Sequence, residues 1–197
     1  MVKILEINDG WKYGKNKSFD ILNLDCISGI KFRSYKSLKD IFPHNTTLSI
    51  NNSSKPSDIF YHALKLFVSY KVAQIILKSN TDSIELFPVN VIWNGDKYTE
   101  TSFFLMNIMS KIDCIDKDLS EYEVDKYIDE DDNTAYISEI SKLVIYPIDE
   151  NIHKIFFIGD TFGTSLELSV CDEIAQEIIS QSCTGCKLID VGLYRRL

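Results

Sequence analysis

Cys183-Thr-Gly-Cys186 is the stretch whose residue types and spacing come closest to a chemical motif. Two cysteines at this spacing can form a catalytic dithiol or supply half of a tetrahedral zinc site. A reactive dithiol gains its low thiolate pKa at a helix N-terminus, whereas this pair follows a predicted helix and leads into a strand. Zinc would need two more ligands, and the sequence has no second C-x-x-C and no paired histidines. The expected reading is a turn with incidental thiols. His44, His62 and His153 stand far apart, and no H-E-x-x-H, Walker loop, G-x-G-x-x-G or G-x-S-x-G occurs. Asp129-Glu130-Asp131-Asp132-Asn133 opens like a calcium-binding loop. Its sixth position is Thr134 where glycine is needed, and its twelfth is Ile140, with Glu139 one place early. The expectation is a protein without catalytic residues, metal or cofactor, and not an enzyme.

Charge distribution carries more information. Between Asp113 and Glu139 lie eleven acids against Lys117 and Lys126, a local charge of −9 that leaves the rest of the chain at +1. Tyr122, Tyr127 and Tyr136 are interleaved with them. A charge run of this kind is by default a solvated loop. The functional reading is a docking surface for a basic protein partner, with carboxylates steering the encounter and tyrosines as anchors. Its candidate contact residues are Asp118, Glu121, Tyr122, Glu123, Asp125, Tyr127, Asp129, Glu130, Asp131 and Asp132. Residues 118–132 are expected to be exposed and partly mobile, because so many carboxylates cannot be buried together. The basic stretch holding Lys12, Lys15, Lys17, Lys31, Arg33, Lys36 and Lys39 is diluted by acids and reads as solvated surface.

Across 197 residues, 21 Lys and Arg face 29 Asp and Glu, a net charge of −8. That balance disfavours nucleic acid and anionic membranes, which demand a basic surface. Eleven Phe and ten Tyr give the chain enough apolar area to offset its ordering entropy, so disorder is disfavoured. The first residues are not expected to act as a signal peptide, since Glu6 and Asp9 interrupt their apolar run. No segment approaches the ~20 apolar residues of a membrane helix. Five cysteines, odd and sparse, argue against a disulfide framework and for a reducing cytoplasm.

The elements that must position these groups follow from periodicity. Residues 2–7, Phe19–Leu24 and Gly29–Phe32 read as strands, Ser37–Phe42 as a short helix stopped by Pro43, and His44–Ser57 mostly as loop. A soft boundary near residue 57 separates a strand-rich extension, 1–57, from a main domain, 58–197. Within that domain, residues 64–89 align without a gap on 166–191, at an offset of 102. Leu64/Leu166, Leu66/Leu168, Val68/Val170, Ala73/Ala175, Gln74/Gln176, Ile76/Ile178, Leu86/Leu188 and Val89/Val191 are identical. Each copy changes from strand to helix to strand. Ser69 caps the first helix, Val72, Ala73, Ile76 and Leu77 form its stripe, and Ile174, Ala175, Ile178 and Ile179 form the second. Asn94-Gly95 predicts a hairpin between a strand ending at Trp93 and one covering Tyr98 to about Met109. Leu143–Tyr146 and Ile152–Ile158 complete the strands. The predicted class is α+β, an antiparallel-rich mixed sheet with two repeated strand-helix-strand units.

Read together, the segments from about Leu64 onward resemble a bacterial immunity-protein family of polymorphic toxin systems (immunity family eleven). The matching stretches are Leu66-Phe-Val-Ser-Tyr-Lys-Val-Ala, Leu86-Phe-Pro-Val89, Phe103-Phe-Leu-Met-Asn-Ile108 with Ile112-Asp-Cys-Ile-Asp116, Ile155-Phe156, and Thr184-Gly185-Cys-Lys-Leu188. The sequence departs from the family pattern at Phe157, where Arg is expected, and at Cys171, where a capping Ser is expected. The resemblance implies a cytoplasmic antidote that binds a cognate toxin protein and blocks it, with no catalytic residues. The competing reading is a small-ligand protein or enzyme with a pocket between the two repeat units.

Overall fold

The computed structural model describes residues 1–7, 18–22, 35–51, 55–62, 65–79, 81–129, 132–159 and 165–196. The fold is mixed α+β. Its elements begin with β1 (Lys3–Glu6), β2 (Ser18–Leu22), β3 (Thr47–Asn51), β4 (Ile59–His62), β5 (Lys65–Ser69), α1 (Tyr70–Lys78), β6 (Ile84–Trp93), β7 (Asp96–Lys97) and β8 (Phe103–Ile108). They continue with β9 (Lys111–Asp113), β10 (Glu121–Asp129), β11 (Asp132–Lys142), β12 (Ile155–Gly159), β13 (Ser165–Val170), α2 (Asp172–Ser180) and β14 (Lys187–Asp190). Among the described residues no helix is long and apolar enough to cross a membrane. The predicted strand Gly29–Phe32 lies outside the described residues.

Two compact units interleave along the chain. One comprises Met1–Glu6, Ser110–Ala175 and Leu188–Leu197, the other Ile7–Met109 and Gln176–Lys187. Neither coincides with the segments 1–57 and 58–197, since β1 belongs to the first unit and β2 and β3 to the second.

The first unit holds a five-stranded sheet in the order β14-β1-β13-β12-β9, together with the two-stranded sheet β10-β11. β13 runs antiparallel to both β1 and β12, while β9 is parallel to β12. Val2, Ile4, Ile137, Ile140, Phe156 and Ile158 form its core. Ser169 stands out there. It is fully buried on β13, opposite Ile4 and Phe156, and its hydroxyl has no hydrogen-bond partner. An unmade hydrogen bond in a core costs about 1–3 kcal/mol. Ser169→Ala removes that cost and leaves only a small void, so stability should hold or rise by up to about 1 kcal/mol. A loss of more than about 1 kcal/mol in urea unfolding would contradict the unpaired hydroxyl.

The second unit is built on a seven-stranded sheet, β2-β3-β6-β8-β5-β4, with β7 beside β6. β6 serves two partners. Ile84–Val89 pairs antiparallel with β8, and Asn90–Trp93 pairs parallel with β3. Asn94 and Gly95 carry φ of 52° and 91°, the two positive values that a two-residue hairpin turn requires. The returning strand is shorter than expected. It stops after Lys97, and β8 begins only at Phe103. Leu48, Ile50, Phe60, Phe67, Phe103 and Leu105 form the core, with Phe60 and Phe67 stacked at 5.3 Å.

Three element assignments need correction. Ser37–Phe42 is a turn, because Glu85 takes the Leu38 N–H at 2.8 Å and the Ser37 hydroxyl at 2.5 Å, drawing the segment onto the sheet. Leu48 and Ile50, expected in a loop, are the buried residues of β3. Leu143–Tyr146 makes only an isolated bridge, Ile115 to Ile145.

Both helices form as predicted, at nine residues each. On α1 the Ser69 hydroxyl accepts from the Val72 N–H, and Lys78 sits favourably in the last turn. On α2, where Cys171 lacks a capping hydroxyl, the Glu150 carboxylate accepts from the Asp172 N–H at 2.9 Å. Burial corrects the predicted stripes. Leu77 and Ile179 are 61% and 58% exposed, while Ile75 is buried beside Val72, Ala73 and Ile76. The segments β5-α1-β6 and β13-α2-β14 share one sheet feature: a single strand, β8 or β1, lies between the two strands of each.

Candidate functional site

The acidic run folds as a regular hairpin, which corrects the expectation of a loop. β10 and β11 pair antiparallel from Glu121 opposite Lys142 to Asp129 opposite Asp132. Acidic side chains are poor strand formers, so the strand preference comes from the Tyr, Val, Ile and Thr residues between them. Two register shifts leave Ser141 and Ser138 of β11 without partners, and each hydroxyl donates back across the ladder. Ser141 bonds the Glu121 carbonyl at 3.2 Å and Ser138 the Glu123 carbonyl at 3.4 Å. These bulges re-aim the side chains between them. Ile137 and Ile140, three apart on one strand, both reach the core, while Glu139 is left exposed.

Glu139 lies directly opposite Glu123. Among the described residues neither has an ion-pair partner within reach. Like charges opposed across a ladder are destabilising. Both line an open groove of about 480 Å³ with Glu121, Tyr122, Lys117, Ser120 and Ser141. The approach to the groove is held by local hydrogen bonds. Asp116 accepts from the N–H groups of Asp118 and Leu119 at 3.1 Å, and the Ser120 hydroxyl bonds Val144 at both its carbonyl and its N–H. Three carboxylates outnumber the one cation of the lining, Lys117, so the groove can receive a lysine or arginine side chain.

Of the sequence-predicted contact residues, Asp118, Glu121, Glu123 and Asp125 are exposed. Tyr122 is half-buried and packs on the core containing Ile137 and Ile140, so much of its ring is already committed to the fold. Tyr127, Asp129 and Asp132 are placed by backbone alone at the far end of the hairpin, and Glu130 and Asp131 lie outside the described residues. Sequence reasoning missed Lys117, Ser120, Glu139 and Ser141 as groove residues. Only the opposed register brings Glu139 to Glu123, and no local spacing announces it.

Cys183 and Cys186 belong to a different environment. Burial pushes both thiols up, Cys186 to about 11, away from a reactive thiolate. Among the described residues no group of three potential ligands converges as a metal site. Thr184, between the cysteines, is instead a structural clasp. Asp58 accepts from its N–H at 2.9 Å and its hydroxyl at 3.0 Å, from Ser69 at 2.7 Å, and pairs with Lys71 at 2.9 Å.

Burial raises the Asp58 pKa, but these hydrogen bonds outweigh it and hold the group low. Glu85 is similar, with burial outweighed by hydrogen bonds from Leu38, Ser37 and Asn107. Glu150 is lowered first by the Asp172 N–H and then, against burial, by the N-terminal ammonium. All three titrate lower folded than unfolded, so the unfolded chain binds more protons in acid. Their stabilisation is complete above the ordinary carboxyl values of 3.8 and 4.5 and is lost as pH falls through the folded ones. The urea midpoint should therefore fall steadily below about pH 4.5. A midpoint that stays flat to about pH 3 would contradict these assignments.

No curated protein matches the chain. Residues 24–192 match the immunity protein family Imm11, a span that begins inside the N-terminal segment the sequence reading had set apart. That match covers most of the chain, with parts of both units and the whole acidic hairpin. The chain belongs to the Imm11 immunity protein family.

Proposed function

We propose that this chain is an antidote that binds a cognate bacterial toxin domain stoichiometrically in the cytoplasm and blocks it without catalysis, within a polymorphic toxin system. Family membership supports the class of function. The observation that carries the mode of binding is the opposition of Glu123 and Glu139 over an open, carboxylate-lined groove. A like-charge pair opposed across the ladder costs the isolated fold stability, and a basic side chain entering the groove relieves that cost in the complex. The partner surface is therefore basic, and the segment around 118–139 is its docking face. Carboxylates there raise the encounter rate over roughly a Debye length, about 8–10 Å at ordinary salt.

Coexpression with the toxin domain encoded beside the gene tests the reading. The expected result is rescue of growth together with a one-to-one complex on size-exclusion chromatography. Neither rescue nor complex would overturn the antidote function. Rescue without a stable complex would overturn stoichiometric blockade.

A further inference from the structure

The acidic hairpin has one edge met by the chain itself and one edge open. On β11, Ile140 turns its N–H and carbonyl away from β10 and exchanges both with Arg196, at 2.8 and 3.0 Å. Tyr122 stands opposite Ile140 on β10, so its own N–H and carbonyl point the other way, to the outer edge. The serine bonds give the same phase. The Glu121 and Glu123 carbonyls face β11, where they accept from Ser141 and Ser138, and alternation sends the main-chain groups of Tyr122 and Val124 outward. Among the described residues no backbone hydrogen bond reaches these outward groups, and Val124 is 41% exposed. The outer strands of the five-stranded sheet, β9 and β14, have three and four residues, against nine in β10. Short edges resist pairing, whereas a long one is a template for another chain.

Charge selects the occupant. β10 carries Glu121, Glu123, Asp125 and Asp129 against Lys126. Glu121 faces Lys142 on β11, but Glu123 faces Glu139 and Asp125 faces Tyr136. A second copy of the chain would bring a strand of the same negative sign, which a ladder penalises. Lys or Arg on an incoming strand would instead stand about 4.5–5.5 Å from these acids, Cβ to Cβ. We propose that one basic strand of the toxin domain extends β10, exchanging main-chain hydrogen bonds with Tyr122 and Val124 and setting its basic side chains beside Glu123 and Asp125. The inference rests on the antidote reading and specifies how the docking face is engaged.

The test is amide hydrogen exchange, read residue by residue, on the free chain and on its complex with the toxin domain encoded beside the gene. In the free chain the Tyr122 and Val124 amides should exchange fast, and those of Glu123 and Asp125, which face β11, slowly. The complex should slow Tyr122 and Val124 by about a hundredfold or more. Dissociation of Val124→Pro, beside Val124→Thr, separates main-chain pairing from simple burial. Proline removes an outward N–H that the hairpin does not use, a place where an edge strand tolerates it. Val124→Pro should dissociate about tenfold faster than Val124→Thr, as loss of one main-chain hydrogen bond does. Where proline opens the hairpin and exposes the Glu123 amide, the wild-type exchange result decides alone. If wild type binds and both outward amides exchange as fast bound as free, the edge proposal is overturned and the antidote function stands. Equal dissociation of the two variants, with the hairpin intact, overturns it too. Protection of those amides in a dimer of the free chain would make a second copy the occupant, against the proposal. If wild type does not bind, the antidote reading fails and the edge falls with it.

Discussion

Gly185→Ala is expected to destabilise the second unit by about 3 kcal/mol or more, because it is the tightest site for an added methyl group among the described glycines. A Cβ at this position would stand 2.0 Å from the Ile59 carbonyl oxygen and 2.6 Å from Ser57 Cβ. The first obstacle is backbone and cannot swing aside. Gly185 also holds φ at +87°, where L side chains are rare. Relief of the clash would move Thr184, whose carbonyl accepts from the Ile59 N–H at 3.1 Å and whose hydroxyl and N–H hold Asp58. The Ser69 cap of α1 and the Lys71 ion pair hang on the same carboxylate, so the damage should spread to the helix. Gly95→Ala supplies the control. It has nearly the same φ, +91°, and open space around it, so it should cost only the backbone strain, about 1 kcal/mol. Equal urea midpoints for the two variants would show that the close approach of Gly185 to Ile59 is not what requires glycine.

Thr184-Gly185 was legible in the sequence as a turn, yet its purpose was not. Asp58 lies 126 residues away and gives no local sign of partnership. The same limit hid Glu85, whose hold on Ser37 and Leu38 turned a predicted helix into an anchored turn. Local periodicity did better where burial follows from local geometry alone. Both helices were found because Val72, Ala73 and Ile76, and Ile174, Ala175 and Ile178, recur at helical spacing and are buried. The stripes were drawn one residue too wide. At about 100° per residue, Ile75 sits on the near side of the Val72–Ile76 face and Leu77 beyond the far side, and the core took the former.

β3 was a different kind of miss. Thr47-Leu48-Ser49-Ile50-Asn51 alternates strictly, but its polar flanks read as loop, so composition overrode a period-two signal that was present. The hairpin was hidden by its own carboxylates. Acid-rich segments read as solvated loop, and the two serine bulges break the alternation that would have marked β11 as a strand. Composition singled out the acidic segment along the chain. The opposition of Glu123 and Glu139, the feature that gives it a chemical preference, is a matter of register, and register is set by pairing.

Replacing Glu121, Glu123 and Glu139 by Gln and Asp125 by Asn should slow association with the toxin domain by about tenfold or more at low salt, while slightly raising the stability of the free chain. The two effects have one origin. Glu123 and Glu139 repel each other across the ladder in the free protein, at about 0.2–1 kcal/mol for a pair of this kind, and their amides remove the repulsion. The same charges attract a basic surface from beyond contact, so their loss lowers the encounter rate and flattens its dependence on ionic strength. Backbone pairing and both serine bulges keep their hydrogen bonds to the main-chain carbonyls of residues 121 and 123, and only the 3.4 Å bond from Ser141 to the Glu121 carboxylate is altered. A merely structural role for these acids predicts the reverse stability change and no change in association. Stopped-flow association at about 0.05 and 0.5 M salt, beside urea unfolding of the free variant, separates the cases. Slower association with unchanged or higher stability supports the docking face. Association equal to wild type at low salt would return the hairpin to a solvated surface element and leave the antidote to bind elsewhere.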